Sequence, residues 1–426
     1  MLAFADRKKS AASADRYAQV HITGRTAKPA LAYQLGEEIV FTFTLVTGNV
    51  KPGKWSFIYE RKGDDGQTFS GKASALEPLV IKTSLDRPGF VSVNVTLVNG
   101  HGKNISRINP SYAKMMPIGF YAGAAVLPET LEDCGEPEDF DAYWNREKKR
   151  LAQVPFKDKV KKVLEKELAD GSIYAVTIPA PGKNPATGYM TLPLNAEKRS
   201  LPIKITFNGY GLYQQLPPEN IAPDCIFFNL NAHGHELGKD ASYYEEFFKS
   251  VCTGNCSYAY DPELNKNPDT CYFHDMVMRI LRALEYLKTL PEWDGRNITA
   301  AGSSQGGLQT MWAAALDQDV TVAEPAVTWC CDMAGRIKAE RTPGLHPIPY
   351  QRALEYYDPV FMAKRITKAE VIITRGGLGD YICPPSGVAI SYKNLATPLK
   401  TIHWHQGSDH GFVPEEPEII TWTTKK

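Results

Sequence analysis

Residues Asn297–Leu316 read NITAAGSSQGGLQTMWAAAL, and this stretch decides the fold. A short β-prone run, Ile298–Ala301, breaks into Gly302-Ser303-Ser304-Gln305-Gly306-Gly307, and a helix-prone run of small residues follows. Strand, Gly-x-Ser-x-Gly, helix is the context of a nucleophile elbow, a turn that lifts a serine hydroxyl above a sheet edge. So tight a turn has no room for side chains two residues either side of the serine. Spacing therefore selects Ser304, which has Gly302 and Gly306 at those positions; Ser303 would have Ala301 and Gln305. A glycine-rich turn without chemistry would share the pattern, so the reading needs partners elsewhere in the chain.

A serine hydroxyl attacks an ester poorly at neutral pH. It needs a base within hydrogen-bond reach, and the base needs an orienting acid. After an elbow the chain order is serine, acid, histidine. The β-prone run Val371–Thr374 leads into Gly376-Gly377-Leu378-Gly379-Asp380, which places Asp380 just past a core strand and makes it the expected acid, ahead of Asp358 and Asp409. Of His403, His405 and His410, the first two fall in or at the end of the strand Leu399–Trp404. His410 sits in the loop Gly407–Gly411 and is the expected base. A tetrahedral intermediate also needs two N–H donors. These are expected from the backbones of Gln305, after the nucleophile, and Tyr210, in the turn Asn208-Gly209-Tyr210-Gly211.

Working outward, 426 residues leave room for two or three domains. Residues 1–16 read as a disordered leader. From 17 to 112 the pattern is period two. Ile39, Phe41, Phe43 and Leu45 oppose Thr42 and Thr44, and Val91, Val93, Val95 and Leu97 oppose Ser92, Asn94 and Thr96. Such alternation between turn residues predicts an immunoglobulin-like antiparallel β-sandwich. Residues 113–136, with Pro117 and Pro128, read as a linker. From Pro137 onwards strands and helices alternate, with strands expected at 160–168, 172–178, 187–192, 202–207, 225–230, 322–329, 371–374 and 399–404. Phe273, Ile280, Leu284 and Leu287 mark an amphipathic helix before the elbow strand. Such alternation implies a mainly parallel sheet with helices on both faces. Two aromatic-rich insertions, 233–271 and 332–357, begin at strand ends where ligands of open α/β sheets bind, and are the expected pocket walls.

Composition excludes some partners. Forty-eight basic and 48 acidic residues cancel, giving no electrostatic reason to expect nucleic acid or an anionic membrane. No apolar run is long enough to span a bilayer. Eight cysteines match no zinc spacing and read mostly as buried thiols; Cys252 and Cys256 could pair only in an oxidising compartment. His233 and His235 lack accompanying ligands, so no metal and no cofactor is expected. Met1-Leu2-Ala3-Phe4-Ala5 has small residues where a signal peptide is cleaved. If it is such a remnant the protein is periplasmic or secreted, and otherwise cytoplasmic.

Several motifs coincide with one known pattern. They are Asp139-Phe140-Asp141 with Trp144, Asn208–Gly211, Arg282-Ala283-Leu284-Glu285-Tyr286-Leu287, Gly302–Gly307 and, most specifically, Gly377–Ser386. Through them residues 137–412 resemble the cephalosporin-C deacetylase and acetyl xylan esterase family of α/β-hydrolases. The resemblance implies an α/β-hydrolase catalytic domain over 137–426 that removes acetyl groups from carbohydrate esters such as xylan or xylo-oligosaccharide. Ser304, Asp380 and His410 would be its triad, and Tyr210 and Gln305 its oxyanion donors. His233-Gly234-His235 replaces the family's Arg-Gly-Gln, which supports the active-site loops, and His410-Gly411 replaces its His-Glu pair. The N-terminal β-domain is an addition. The partner expected is a small-molecule or oligosaccharide ester, and a homo-oligomer stays open. Two other readings remain: a prolyl-peptidase-like serine hydrolase, and a non-catalytic carbohydrate-binding protein on a hydrolase scaffold.

Overall fold

The computed structural model describes residues 15–109, 113–414 and 416–424. The leader expected over 1–16, with Met1–Ala5, lies outside these residues except for Asp15 and Arg16. Up to Val126 the described chain forms β1 (His21–Thr26), β2 (Ile39–Val46), β3 (Ser56–Gly63), β4 (Thr68–Ser74), β5 (Leu79–Thr83), β6 (Gly89–Val98), β7 (Ser106–Asn109), β8 (Lys114–Pro117) and β9 (Gly119–Val126). One antiparallel sheet runs β1-β2-β5, a second β4-β3-β6-β9, and β7 pairs with β8. The alternating apolar residues of β2 and β6 meet in one core, with Phe41, Phe43, Val93 and Val95 against Phe57 and Phe120.

Residues 113–136 are not structureless: they contain β8 and β9. β9 escaped a periodicity reading because it is covered twice. Phe120, Ala122 and Ala124 enter the N-terminal core, while Ala125 enters the core of the larger sheet. A strand buried on both faces loses its polar alternation.

The later chain supplies β10 (Lys161–Leu168), β11 (Gly171–Ile178), β12 (Ala186–Pro193), β13 (Leu201–Phe207), β14 (Ile226–Leu230), β15 (Trp293–Ser303), β16 (Val322–Ala326), β17 (Glu370–Gly377), β18 (Lys400–His405) and β19 (Ile419–Thr424). They form one sheet in the order β10-β11-β12-β14-β13-β15-β16-β17-β18-β19. From β14 to β18 neighbours are parallel; β10, β11 and β12 join one end antiparallel, and β19 the other. The β10–β11 connection is too short for a parallel crossover, which fixes that direction. β19 was not expected: it is a half-exposed edge strand whose Trp422 packs on Trp404.

Other boundaries shift for local reasons. The strand expected to reach Trp329 stops at Ala326, because Val327 takes φ 38° and the chain leaves the sheet. Cys330 and Cys331 therefore lie in a turn and not in a strand. All eight cysteines, Cys252 and Cys256 included, are free. The helix Tyr272–Leu287 is buried almost all round. Its two arginines donate to carbonyls: Arg279 to Ala232 O, and Arg282 to Leu151 O and Val154 O. Among the described residues, no helix is long and apolar enough to cross a membrane.

Candidate active site

The elbow forms where expected. β15 ends at Ser303, Ser304 takes φ 61° and ψ −119°, and the helix Gln305–Leu316 follows. A side-chain-bearing residue pays strain for that φ, which persists only when the surroundings impose it. Here Ser304 N–H donates to Ala326 O at 2.9 Å, and Ser304 O accepts from Leu308 and Trp329. A Cβ on Gly302 would overlap the backbone of Gly306, and one on Gly306 would overlap Phe207 O. The second contact draws the helix start against the end of β13, so the turn Asn208–Gly211 sits beside it.

Asp380 follows β17 and is 4% exposed. Its Oδ1 accepts from the N–H groups of Ile382 and Cys383 at 2.8 and 2.9 Å, leaving Oδ2 for His410 Nδ1 at 3.0 Å. A carboxylate in that place makes Nδ1 the protonated nitrogen, so Nε2 carries the lone pair. The alternative acids have other work. Asp358 accepts from Asp332, Met333 and Val360 N–H groups, and Asp409 from Gly411 and Phe412. His403 bonds Thr421, away from this pair.

Ser304 and His410 line one cavity of about 1110 Å³. Both insertions contribute to its wall, Ser257 and Tyr260 from the first and His346 and Pro349 from the second. Tyr210 and Trp329 complete an aromatic side, their ring centroids 5.2 Å apart. Arg375 also lines it and donates to His410 O at 3.0 Å.

The turn Asn208–Gly211 is tied down by side chains that sequence reasoning placed only in part. Tyr258, buried, accepts from Gly211 N–H at 2.8 Å and donates to Gln305 Oε1 at 2.9 Å, so one hydroxyl joins this turn to the residue after the serine. His233 Nε2 donates to Gly211 O at 3.0 Å, and its Nδ1 meets Tyr272 OH at 2.8 Å. His235 bonds Asn231 at 2.7 Å, and Asn231 in turn accepts from the N–H groups of His233 and Gly234. Tyr258 and Arg375 carried no motif.

Burial holds the His233 imidazole far below its usual value, at about 3. The unfolded chain then takes up a proton near pH 6.5 that the folded chain refuses until about 3. His233 thus contributes stability that is full above 6.5 and is lost as pH falls towards 3, at about 1.4 kcal/mol per pH unit. Asp358, raised by burial to about 7, has the opposite slope below that pH, so absolute curves would mix the two. The difference between wild type and His233→Gln isolates the histidine. Urea unfolding should show the wild type's advantage shrinking by roughly 2–3 kcal/mol between pH 6.5 and 4.5. Parallel curves would refute it.

The sequence profile of the acetyl xylan esterase (AXE1) family matches residues 130–343. The chain belongs to this family. It is a carboxylic ester hydrolase acting within a family of carbohydrate esterases. Acetyl esterase Axe7A of Xylanibacter ruminicola is 26% identical over 358 residues, covering 79% of this chain and 76% of that one. The acetyl xylan esterase of Paenibacillus sp. R4 superposes with a TM-score of 0.57 at 23% identity, over 67% of this chain and 94% of its own. Acetyl xylan esterase 1 of Thermoanaerobacterium sp. JW/SL YS485 gives 0.54 at 20%, over 66% and 92%. These two likenesses speak to the α/β-hydrolase-like fold. They span nearly the whole of those chains and about two thirds of this esterase.

Proposed function

We propose that this esterase removes acetyl groups from acetylated xylan or xylo-oligosaccharide through a Ser304–His410–Asp380 acyl-enzyme mechanism. The observation that carries the reading is the His410 Nδ1–Asp380 Oδ2 bond beside a strained Ser304 in the same cavity. Ser304 Oγ attacks the acetyl carbonyl while His410 Nε2 takes its proton. Backbone N–H groups of Gln305 and Tyr210 receive the oxyanion; Gln305 opens a helix, where N–H groups have no intrahelical acceptor. The intermediate collapses, the sugar alcohol leaves with the proton from His410, and water then releases acetate by the same path reversed. His233 and His235 support the oxyanion turn, the first through Gly211 and the second through Asn231.

The cavity, about 1110 Å³, lies at the upper end of ligand sites and has room for an oligosaccharide. Aromatic faces of Tyr210, Tyr260 and Trp329 suit the apolar faces of sugar rings. In the same reading the three-stranded and four-stranded N-terminal sheets are an immunoglobulin-like domain, and the catalytic domain begins near Pro137. Balanced charge fits a neutral glycan and neither nucleic acid nor membrane.

Acetate release from acetylated xylo-oligosaccharides, assayed beside aminoacyl-proline amides, tests the proposal. Release from the first with no cleavage of the second is the expected result. Cleavage of the amides, or glycan binding without release, would replace it with a peptidase or a binding protein.

A further inference from the structure

Gln406 follows β18 and is 1% exposed. Its amide pairs with the backbone of Gly123, 283 positions earlier in the chain. Oε1 accepts from Gly123 N–H and Nε2 donates to Gly123 O, each at 2.8 Å. These are the two bonds that a neighbouring strand would make, supplied here by one side chain. Two residues back on β9, Tyr121 N–H donates to Gly407 O at 3.4 Å. The other loop is gripped by shape. A Cβ at Gly123 would overlap Leu378 O, and a Cβ at Gly379 would overlap Tyr121 O. The Tyr121 ring lies 6.0 Å from both Tyr381 and Phe412. Two residues of β9, Tyr121 and Gly123, therefore touch residues 378–381, which carry Asp380, and residues 406–412, which carry His410. The loops also touch each other, through Leu378 N–H to His405 O and Gly379 N–H to Ser408 O, both 3.1 Å.

We propose that β9 is a clamp of the catalytic pair: Gln406 and Tyr121 are positioning residues that fix the Asp380 loop against the His410 loop. Both loops leave the sheet before reaching the site, so neither has a ladder of its own to set its place. Without the clamp the Asp380–His410 bond is left to the loops' own bonds and to Arg375, which reaches only His410 O. A misplacement of about 1 Å at such a pair costs on the order of 100-fold in rate. The kinetic consequence rests on the triad reading above; the structural one does not.

The test uses the full chain with Gln406→Ala, Gln406→Glu and Asp64→Ala. Asp64 accepts from Thr342 N–H at 2.9 Å and so joins the N-terminal sheets to the later chain elsewhere. The readouts are kcat and KM for 4-nitrophenyl acetate, amide hydrogen exchange over residues 378–383 and 405–412, and Tm. Gln406→Ala should lower kcat roughly 10- to 100-fold, leave KM within about twofold and speed exchange in both loops. Gln406→Glu keeps the acceptor for Gly123 N–H but sets its second oxygen against Gly123 O, so it should lose rate as Gln406→Ala does, and a wild-type rate there would also overturn the proposal. Asp64→Ala should lower Tm and leave kcat within about twofold. Wild-type kcat and exchange in Gln406→Ala would overturn the proposal. So would an equal loss of kcat in Asp64→Ala, since simple loosening of the two halves would then suffice. Should Gln406→Ala not fold, Tyr121→Leu leaves the buried amide pair in place. It should lower kcat several-fold, and an unchanged kcat there would also overturn the clamp. If the wild type turns over no acetyl ester, the esterase mechanism fails by itself, and the exchange rates alone decide the clamp.

Discussion

Ser304→Ala should fold like the wild type and turn over 4-nitrophenyl acetate roughly 10⁴- to 10⁶-fold more slowly. In the proposed mechanism alanine removes the one atom that forms the acyl bond, and it removes nothing that holds the turn. The elbow is fixed by backbone: Ser304 N–H to Ala326 O, Ser304 O to Leu308 and Trp329, and the close approach of Gly302 to Gly306. None of these uses the hydroxyl. Circular dichroism and Tm should therefore stay at wild-type values while kcat collapses. A residual rate above solvent remains, because the N–H groups of Gln305 and Tyr210 and the binding cavity survive. Stoichiometric labelling by a fluorophosphonate should be lost in the same variant. A mutant with wild-type turnover would remove Ser304 from the chemistry and return the glycine-rich turn to a structural role.

Asp380→Asn should cost about 10⁴-fold in kcat at neutral pH while perturbing the loop little. Asparagine can keep its carbonyl oxygen where Oδ1 now accepts from Ile382 and Cys383. Its amide nitrogen then faces His410 Nδ1 and offers a proton instead of accepting one. The imidazole must turn to its other tautomer, with the proton on Nε2, and has no lone pair left for the serine proton. The loss is one of proton inventory and not of shape, so KM should move little. A loss under about tenfold would point away from Asp380. The same substitution at Asp358 or Asp409 would then be the informative one, although both spend their oxygens on backbone N–H groups.

The reading of the elbow from sequence worked because that turn is a local problem. Gly302, Ser304 and Gly306 lie within five residues, and their spacing alone marks the turn, although the carbonyl that Gly306 makes room for is that of Phe207. The pairing of Asp380 with His410, the expected acid and base, was legible through chain order and through their places just past strands. What stayed hidden was made by distance. Tyr258 bonds Gln305, 47 positions on, and Gln406 bonds Gly123, 283 positions back. A tyrosine or glutamine carries no mark of such a partner. β9 was hidden for a different reason: Gly119–Val126 is small, apolar and enclosed on both sides, so it has neither the period of a half-buried strand nor the polarity of a loop. The insertions were correctly placed at the cavity, but their aromatic contacts depend on loop paths that no periodicity encodes.

The reciprocal fit of Gly123 under Leu378 and Gly379 under Tyr121 has an evolutionary side. An architecture that gains these sheets must present glycine at both places, because two backbones there come closer than any side chain permits. The junction needs glycine on both partners at once. Any other residue at either place leaves a Cβ overlapping a carbonyl. Chimeras that graft these sheets onto a related hydrolase meet the same condition, and an acceptor with glycine at the position of Gly379 is where such grafting should start.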